Sequence, residues 1–277
     1  MKGRKRIRWA RIVAVIVFFT IMLGTSYYLL GGKIEEHGQA ENFVSNEASL
    51  VETEVIAEEI EPNVEVIEEV VESIALNPDG KYIALTFDDG PSSKVTPRVL
   101  QTLKQHDAKA TFFMLGNRVE MYPNIAAQVA AEGHEIANHT FSHPNLKKLT
   151  HKEMIEEIDK TNNIIEMATG ITSTLFRPPY GVYNQDILNY TTSNNYTTIL
   201  WSVDSLDWKS RNPITIKKEI LSNVTNRSVV LMHDIHTATA EALPELLMSL
   251  KKEGYEFVTV SELLTLKEEK VDPYFGN

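Results

Sequence analysis

Asp88 and Asp89 stand side by side after an apolar run, Tyr82–Phe87, and before Gly90-Pro91, a dipeptide that ends a strand and forces a turn. Adjacent side chains on an extended backbone point in different directions, so one carboxylate can bind a cation while the other handles a proton. Asp-Asp-Gly is also an ordinary turn sequence, so this division of labour needs support elsewhere in the chain. His139 and His143 offer it. Spaced by four, they face one cation if their segment makes a helical turn, and with one Asp they complete three protein ligands. Three ligands leave a position for water, the arrangement of a catalytic rather than a structural zinc site. Further polar clusters follow at Arg177-Pro178-Pro179-Tyr180-Gly181, Asp204-Ser205-Leu206-Asp207-Trp208 and Leu231-Met232-His233-Asp234. Of the remaining histidines, His37 falls in a glutamate-rich stretch, His106 and His151 at helix ends, and His134 at a strand start. His236 shares a loop with His233 and is expected to have no chemical role.

Something must hold these clusters together. From about Lys81 onward short apolar runs alternate with amphipathic stretches. Strands are expected at Tyr82–Phe87, Ala110–Leu115, His134–Ala137, Thr174–Phe176, Thr197–Trp201, Val229–Met232 and Phe257–Val260. Helices are expected at Val95–His106, Tyr122–Ala131, Lys152–Met167, Asn184–Thr192, Pro213–Leu221 and Ala240–Lys252. Strand-then-helix repetition implies parallel strands with right-handed crossovers. The length suits a distorted, incomplete (β/α) barrel of about seven parallel strands, with an open doubly wound sheet as the alternative. In either, the polar clusters fall on one rim, at the strands' C-terminal ends. No glycine fingerprint follows the first strand, which argues against a nucleotide cofactor.

The 277-residue chain carries a formal net charge of −11, which argues against a nucleic-acid partner. It has no cysteine, so any metal must be held by His, Asp or Glu. Residues 1–11 are basic, and 12–30 carry no charge. Nineteen helical residues span roughly 28 Å, about one bilayer's hydrocarbon core. The expected organisation is a cytoplasmic basic segment (1–11), a transmembrane anchor (12–30), an acidic extracytoplasmic spacer (31–79) and a catalytic domain (80–270). A cleaved signal peptide is the alternative for the apolar run.

In order along the chain stand Thr-Phe-Asp-Asp-Gly (86–90), His-x-x-x-His (139–143), Arg-x-Pro-Tyr (177–180), Asp-x-x-Asp-Trp (204–208) and Leu-x-His (231–233). Together these resemble the polysaccharide deacetylases of carbohydrate esterase family four, the NodB homology domain, from about Tyr82 to Leu264. The resemblance implies a distorted (β/α) barrel and a divalent metal, usually zinc, on Asp89, His139 and His143. It implies Asp88 as general base, Arg177 as the partner that orients it, and His233 as general acid with Asp207 behind it. The backbone N–H of Tyr180 would bind the oxyanion, and Trp208 and Leu231 would wall the acetyl pocket. Asp204 stays open between capping a turn and supporting His233. The implied activity is removal of N-acetyl groups from amino-sugar polymers. With an outward-facing anchor, the favoured substrate is the N-acetylglucosamine of peptidoglycan. The alternatives are an O-acetyl ester hydrolase and a non-catalytic glycan-binding wall protein.

Overall fold

In the computed structural model, residues 76–267 and 271–277 are described. The expected basic segment, anchor and nearly all of the acidic spacer lie outside them. Among the described residues no helix is long and apolar enough to cross a membrane.

Strand β1 (Tyr82–Asp88) is buried along its whole length, and its side chains divide between two faces. Ile83, Leu85 and Phe87 enter the larger core, which the helices cover, while Tyr82 and Ala84 belong to a smaller inner cluster. The remaining strands are β2 (Thr111–Met114), β3 (Glu135–Asn138), β4 (Leu175–Phe176), β5 (Thr197–Thr198), β6 (Val203–Asp204), β7 (Ser228–His233) and β8 (Glu256–Phe257). Seven run in the order β5-β4-β3-β2-β1-β7-β6, and every pairing is parallel. This is a half-barrel, in line with the expected fold class. β8 pairs with Tyr82 and Ile83 of β1. Ile83 is also paired to β7, so β8 occupies the edge that β2 uses farther along.

The helices are α1 (Thr96–Gln105), α2 (Gly116–Met121), α3 (Pro123–Ala131), α4 (His151–Thr169), α5 (Gln185–Ser193), α6 (Asp207–Ser210), α7 (Pro213–Asn223), α8 (Thr237–Lys252) and α9 (Val260–Leu264). Local sequence sets several of their ends. Thr150 and Glu153 form a capping box at the start of α4, and Gly170, at φ 72°, ends it in the left-handed conformation. Asn212 accepts from the Thr215 N–H, and Pro213 then opens α7.

Three expectations need correction. The run Phe257–Val260 is a strand only at its start, because Thr259 and Glu262 make a capping box that turns the chain into α9. The run Thr197–Trp201 is a strand only over Thr197–Thr198, with Ile199 in an isolated bridge to Tyr274, and β6 begins beyond it at Val203. The fold also continues past residue 270. The Thr198 N–H donates to Asp272 Oδ1 (2.9 Å), and Tyr274 N–H to Thr198 O (2.8 Å). Leu200 N–H in turn donates to Tyr274 O (2.7 Å), so the tail lies along the β5 edge as an extra strand would.

Candidate active site

Register brings the motif residues to one level. Asp88 is the partner of His233 across β1 and β7, and Asn138 is the partner of Phe176 across β3 and β4. Paired positions in a parallel sheet share a face. His139 and Arg177 each stand one residue beyond the second pair, as Asp89 stands one beyond Asp88.

Arg177 organises the floor. It is fully buried, stacked on Phe113 (guanidinium carbon 3.9 Å from the ring centroid), with Trp201 at 5.7 Å. Its Nη1 donates to Asp88 Oδ1 (2.6 Å) and Thr86 Oγ1 (2.8 Å). Its Nε donates to Ile199 O (3.2 Å) and Nη2 to Leu200 O (3.0 Å). Those carbonyls lie where β5 has ended and β6 has not begun, so the guanidinium satisfies backbone groups the sheet leaves behind. Burial raises the Asp88 carboxyl above its ordinary value, and the Arg177 charge pulls it only partly back. The motif resemblance supplies Arg177 as the partner of Asp88 but not the larger effect of burial.

Asp88 Oδ2 lies 3.7 Å from His139 Nε2, which is also 3.7 Å from Asp89 Oδ1. His143 Nε2 is 3.5 Å from the same Asp89 oxygen. His139 Nδ1 is 2.7 Å from the Arg177 carbonyl, which only accepts, so Nδ1 carries the proton and Nε2 presents a lone pair. Burial lowers the His139 pKa to about 3, outweighing the attraction of Asp89, and the ring is neutral. Asp89 Oδ1 is buried without a hydrogen-bond donor. One ligand atom each from Asp89, His139 and His143 therefore lies within 4.8 Å of the others, and Asp89 Oδ1 and His139 Nε2 bring free lone pairs. Four ligands at ~2.05 Å in a tetrahedron lie about 3.3 Å apart. The observed spacings of 3.5 and 3.7 Å suit a divalent cation of that kind.

The segment between the two histidines is an irregular loop, not the helical turn expected. Thr140 and His143 take φ of 70° and 61°. Asn138 Oδ1 accepts from the Thr140 N–H (2.9 Å), Thr140 Oγ1 from the His143 N–H (3.1 Å), and Glu157 from Ser142. Side-chain hydrogen bonds thus replace helical ones and turn both rings toward Asp89.

Across the site His233 Nδ1 donates to Asp207 Oδ1 (2.7 Å), and the His233 N–H donates to Asp207 Oδ2 (2.8 Å). Thr239 Oγ1 also donates to that oxygen (2.6 Å). Burial disfavours the imidazolium, but the bond to Asp207 and the charges of Asp207, Asp88 and Asp89 outweigh it, and the pKa rises to about 9. Burial of Asp207 is outweighed in the same way, so its carboxyl lies below the ordinary value. Asp204 is the turn-former: Oδ1 accepts from the Leu206 N–H (2.9 Å) and Oδ2 from Trp208 Nε1 (3.4 Å).

Tyr180 sits at φ 62° in the tight turn Pro179–Gly181, its ring edge-on to that of His143 (centroids 4.5 Å apart). That turn closes through Gly181 N–H to Pro178 O (3.0 Å). Leu231 is buried on the Thr86 level, whereas Trp208 is 49% exposed at the mouth. The sequence reading counted Asp234 in a polar cluster without giving it a role, and did not find Thr239 or Arg211. Asp234 is wholly buried; its Oδ2 accepts from Thr96 Oγ1 (2.5 Å), Oδ1 has no donor, and burial raises its pKa to about 7. A Cβ on Gly90 would meet that carboxylate at 2.3 Å, so glycine is required after the aspartate pair. An acid in the apolar run Val229–Asp234 was the available signal. For Thr239, one helical turn into α8, there was none.

The family model described as polysaccharide deacetylase matches residues 75–199. The peptidoglycan deacetylase PdaC of Bacillus subtilis, in its solved structure, is 40% identical with TM-score 0.67, covering 70% of this chain and 94% of that one. The chain belongs to the polysaccharide deacetylase family. The peptidoglycan-N-acetylglucosamine deacetylase PgdA of Listeria monocytogenes is 45% identical over 195 residues, 70% of this chain and 41% of that protein. The full-length PdaC, a peptidoglycan-N-acetylmuramic acid deacetylase, is 40% identical over 195 residues and is likewise covered to 41%. This chain thus spans about two fifths of the length of the first of its curated relatives. A structure from Bacillus anthracis described as a CE4 family pseudoenzyme is 34% identical with TM-score 0.65, covering 71% of this chain and 69% of that one. Membership of the family therefore does not by itself carry activity.

Proposed function

We propose that this chain is a metal-dependent hydrolase that removes N-acetyl groups from amino-sugar residues of peptidoglycan. The observation that carries the reading is the flanking of the donor cluster Asp89, His139 and His143 by a base on one side and an acid on the other. A glycan-binding protein has no use for that pairing.

Asp89, His139 and His143 would hold the cation, with zinc favoured by two imidazoles and one carboxylate. Bound there, it would polarise the acetamide carbonyl and acidify a water molecule. Asp88 Oδ1 is engaged by Arg177, which leaves Oδ2, on the side of the cluster, to take the proton of the attacking water. Its raised pKa makes it a stronger base than an ordinary aspartate. His233, charged through neutral pH, gives a proton from Nε2 to the departing amine, because Nδ1 is committed to Asp207. The Tyr180 N–H is the proposed oxyanion donor, and Trp208 and Leu231 line the acetyl side. An alkoxide leaves a tetrahedral intermediate far more readily than an amide anion, so a strongly basic imidazole as proton donor matters more for amide than for O-acetyl substrates. The apolar run at 12–30 supports a membrane anchor, with the catalytic domain facing the cell wall.

Acetate release from defined glycans, with and without chelator, tests the reading. Release from N-acetylated amino-sugar oligomers should stop on chelation and return with a divalent metal. Chelator-insensitive release, or release from O-acetylated glycans alone, would overturn it.

A further inference from the structure

One exposed cation is fixed on the acid side of the site. Arg211 lies between α6 and α7, directly after the Trp208 turn. Its Nε donates to Trp208 O (3.0 Å), and Nη1 donates to His236 Nδ1. His236 is 8% exposed and packs its ring against His233, centroids 5.6 Å apart and planes 36° from parallel. Burial and the Arg211 charge keep His236 neutral, as an acceptor must be. The expectation that His236 has no role thus needs revision: it links the candidate proton donor to a held guanidinium.

Arg211 has no carboxylate within 4.0 Å among the described residues, and its Nη2 makes no hydrogen bond there. Its backbone is at φ 49°, a conformation that is strained for a residue with a Cβ. Glycine or asparagine would make the turn more cheaply. A strained, exposed, oriented and unpaired cation adds little to stability; what it offers is a rigid fork for a planar anion.

We propose that Arg211, oriented by His236 and the Trp208 carbonyl, is a specificity-determining residue that binds a carboxylate carried by the glycan beside the acetamide undergoing hydrolysis. This rests on the deacetylase reading above. Peptidoglycan offers that chemistry twice, as the ether-linked carboxylate of muramic residues and as the free carboxylates of peptide substituents.

The test compares the full chain with Arg211→Asn, which removes the charge yet tolerates a positive φ, and with Arg211→Lys. Acetate release is measured on a neutral N-acetylglucosamine tetramer, on peptide-free peptidoglycan strands and on peptide-bearing fragments, each acidic substrate also with its carboxylates converted to methylamides. The ratio of kcat/KM on acidic to neutral substrate should fall roughly tenfold or more in Arg211→Asn, as expected for a lost charge-assisted hydrogen bond. Arg211→Lys should restore part of it, and masking the carboxylates should remove the wild-type preference. Loss confined to peptide-bearing fragments assigns the peptide carboxylate; loss already present on peptide-free strands assigns the muramic one. A ratio in Arg211→Asn within twofold of wild type on both overturns the proposal. Should the wild type release no acetate from any glycan, the deacetylase reading fails instead. Calorimetric binding of the peptide-free and peptide-bearing glycans to Asp88→Asn and to Asp88→Asn/Arg211→Asn then decides on Arg211, and equal affinities overturn its role.

Discussion

The two ends of the half-barrel solve the same backbone problem with different residues. Where helices return to strands, the left-handed positions are Asp107, Gly133, Gly170, Asn195, Arg227 and Gly254. All but Arg227 are types that accept positive φ cheaply. Where strands end, the left-handed positions are Asp89, Thr140, His143, Tyr180, Gly181, Leu206 and Arg211. Five of these are bulky or β-branched. The second rim bears strain to keep particular side chains in place, whereas the first avoids it. Buried histidines make the same contrast. Burial depresses His134, at the strand-start end, to about 4, and His139, at the other, to about 3. Both are neutral and both are hidden. His134 Nδ1 has no partner, and the residue lines a cavity of about 310 Å³ with Lys104, Lys109 and Glu132, whereas His139 Nε2 converges with ligand atoms of Asp89 and His143. A perturbed pKa does not mark a site; convergence does.

The largest expected effects test that contrast directly. His139→Ala should abolish bound metal and acetate release, while His134→Ala should leave release within about twofold of wild type, as residues away from such features do. Asp88→Asn should keep the metal and lose roughly 10²–10⁴ in kcat. Metal content by elemental analysis and single-turnover rates separate the cases. Activity lost equally in both histidine variants would break the comparison between the rims. The two histidines share a stability signature, however. A buried neutral imidazole has its folded pKa below the unfolded 6.5, so its contribution is present above pH 6.5 and is lost as pH falls toward about 4. His134→Leu should flatten that part of the denaturation profile.

Most of the chemistry was legible because it lies in short motifs at strand ends, and strand order alone brings those ends together. β1 and β7 were the clearest strands, since burial on both faces makes their apolar runs nearly continuous. What escaped depends on tertiary closure. Two-residue strands such as β6 have no periodicity to read. The His139–His143 loop looked like a helical turn because spacing by four cannot show that Asn138 and Thr140 replace the helical hydrogen bonds. Complete burial of Arg177 follows from the gap between β5 and β6, which no local pattern announces. The α9 capping box, Thr259 with Glu262, was present in the sequence and was outweighed by an apolar run.

Next in size is the loss of a buried partner. Arg177→Met keeps bulk but leaves Asp88 and two backbone carbonyls unpaired, and removing one member of such a pair costs about 3–5 kcal/mol. Denaturant unfolding should show it, with activity lost as well. Asp207→Asn keeps the shape and removes the charge behind His233. The wild-type imidazole is raised to about 9, so its stabilising contribution is complete below pH 6.5 and is lost as pH rises through about 9. In the variant that dependence should flatten, and the alkaline limb of kcat should move down toward the ordinary 6.5. An unmoved limb would remove His233 from the role of acid.

The smallest effects concern the strained turns themselves, and they carry opposite signs at the two ends. A Cβ on Gly254 would meet nothing within 4 Å, so Gly254→Ala costs only the conformational penalty of φ 84°, roughly 1–2 kcal/mol. Leu206, at φ 52°, stands where the chain enters α6 and the Asp207–Trp208 pair. Leu206→Gly should relieve a similar penalty, less ~0.5–1 kcal/mol for the added freedom of the unfolded glycine, for a net gain centred on about 1 kcal/mol and no more than about 1.5 kcal/mol. For a domain of this size that is a rise in Tm of roughly 2–4 °C. Function should move the other way. The freed turn loosens Asp207 and Trp208, so acetate release should fall in Leu206→Gly and stay at the wild-type level in Gly254→Ala. Calorimetry and initial rates on the two variants are sufficient. A Leu206→Gly protein both more stable and fully active would mean that the strain on this rim serves nothing, and the contrast between the two ends would then be one of composition alone.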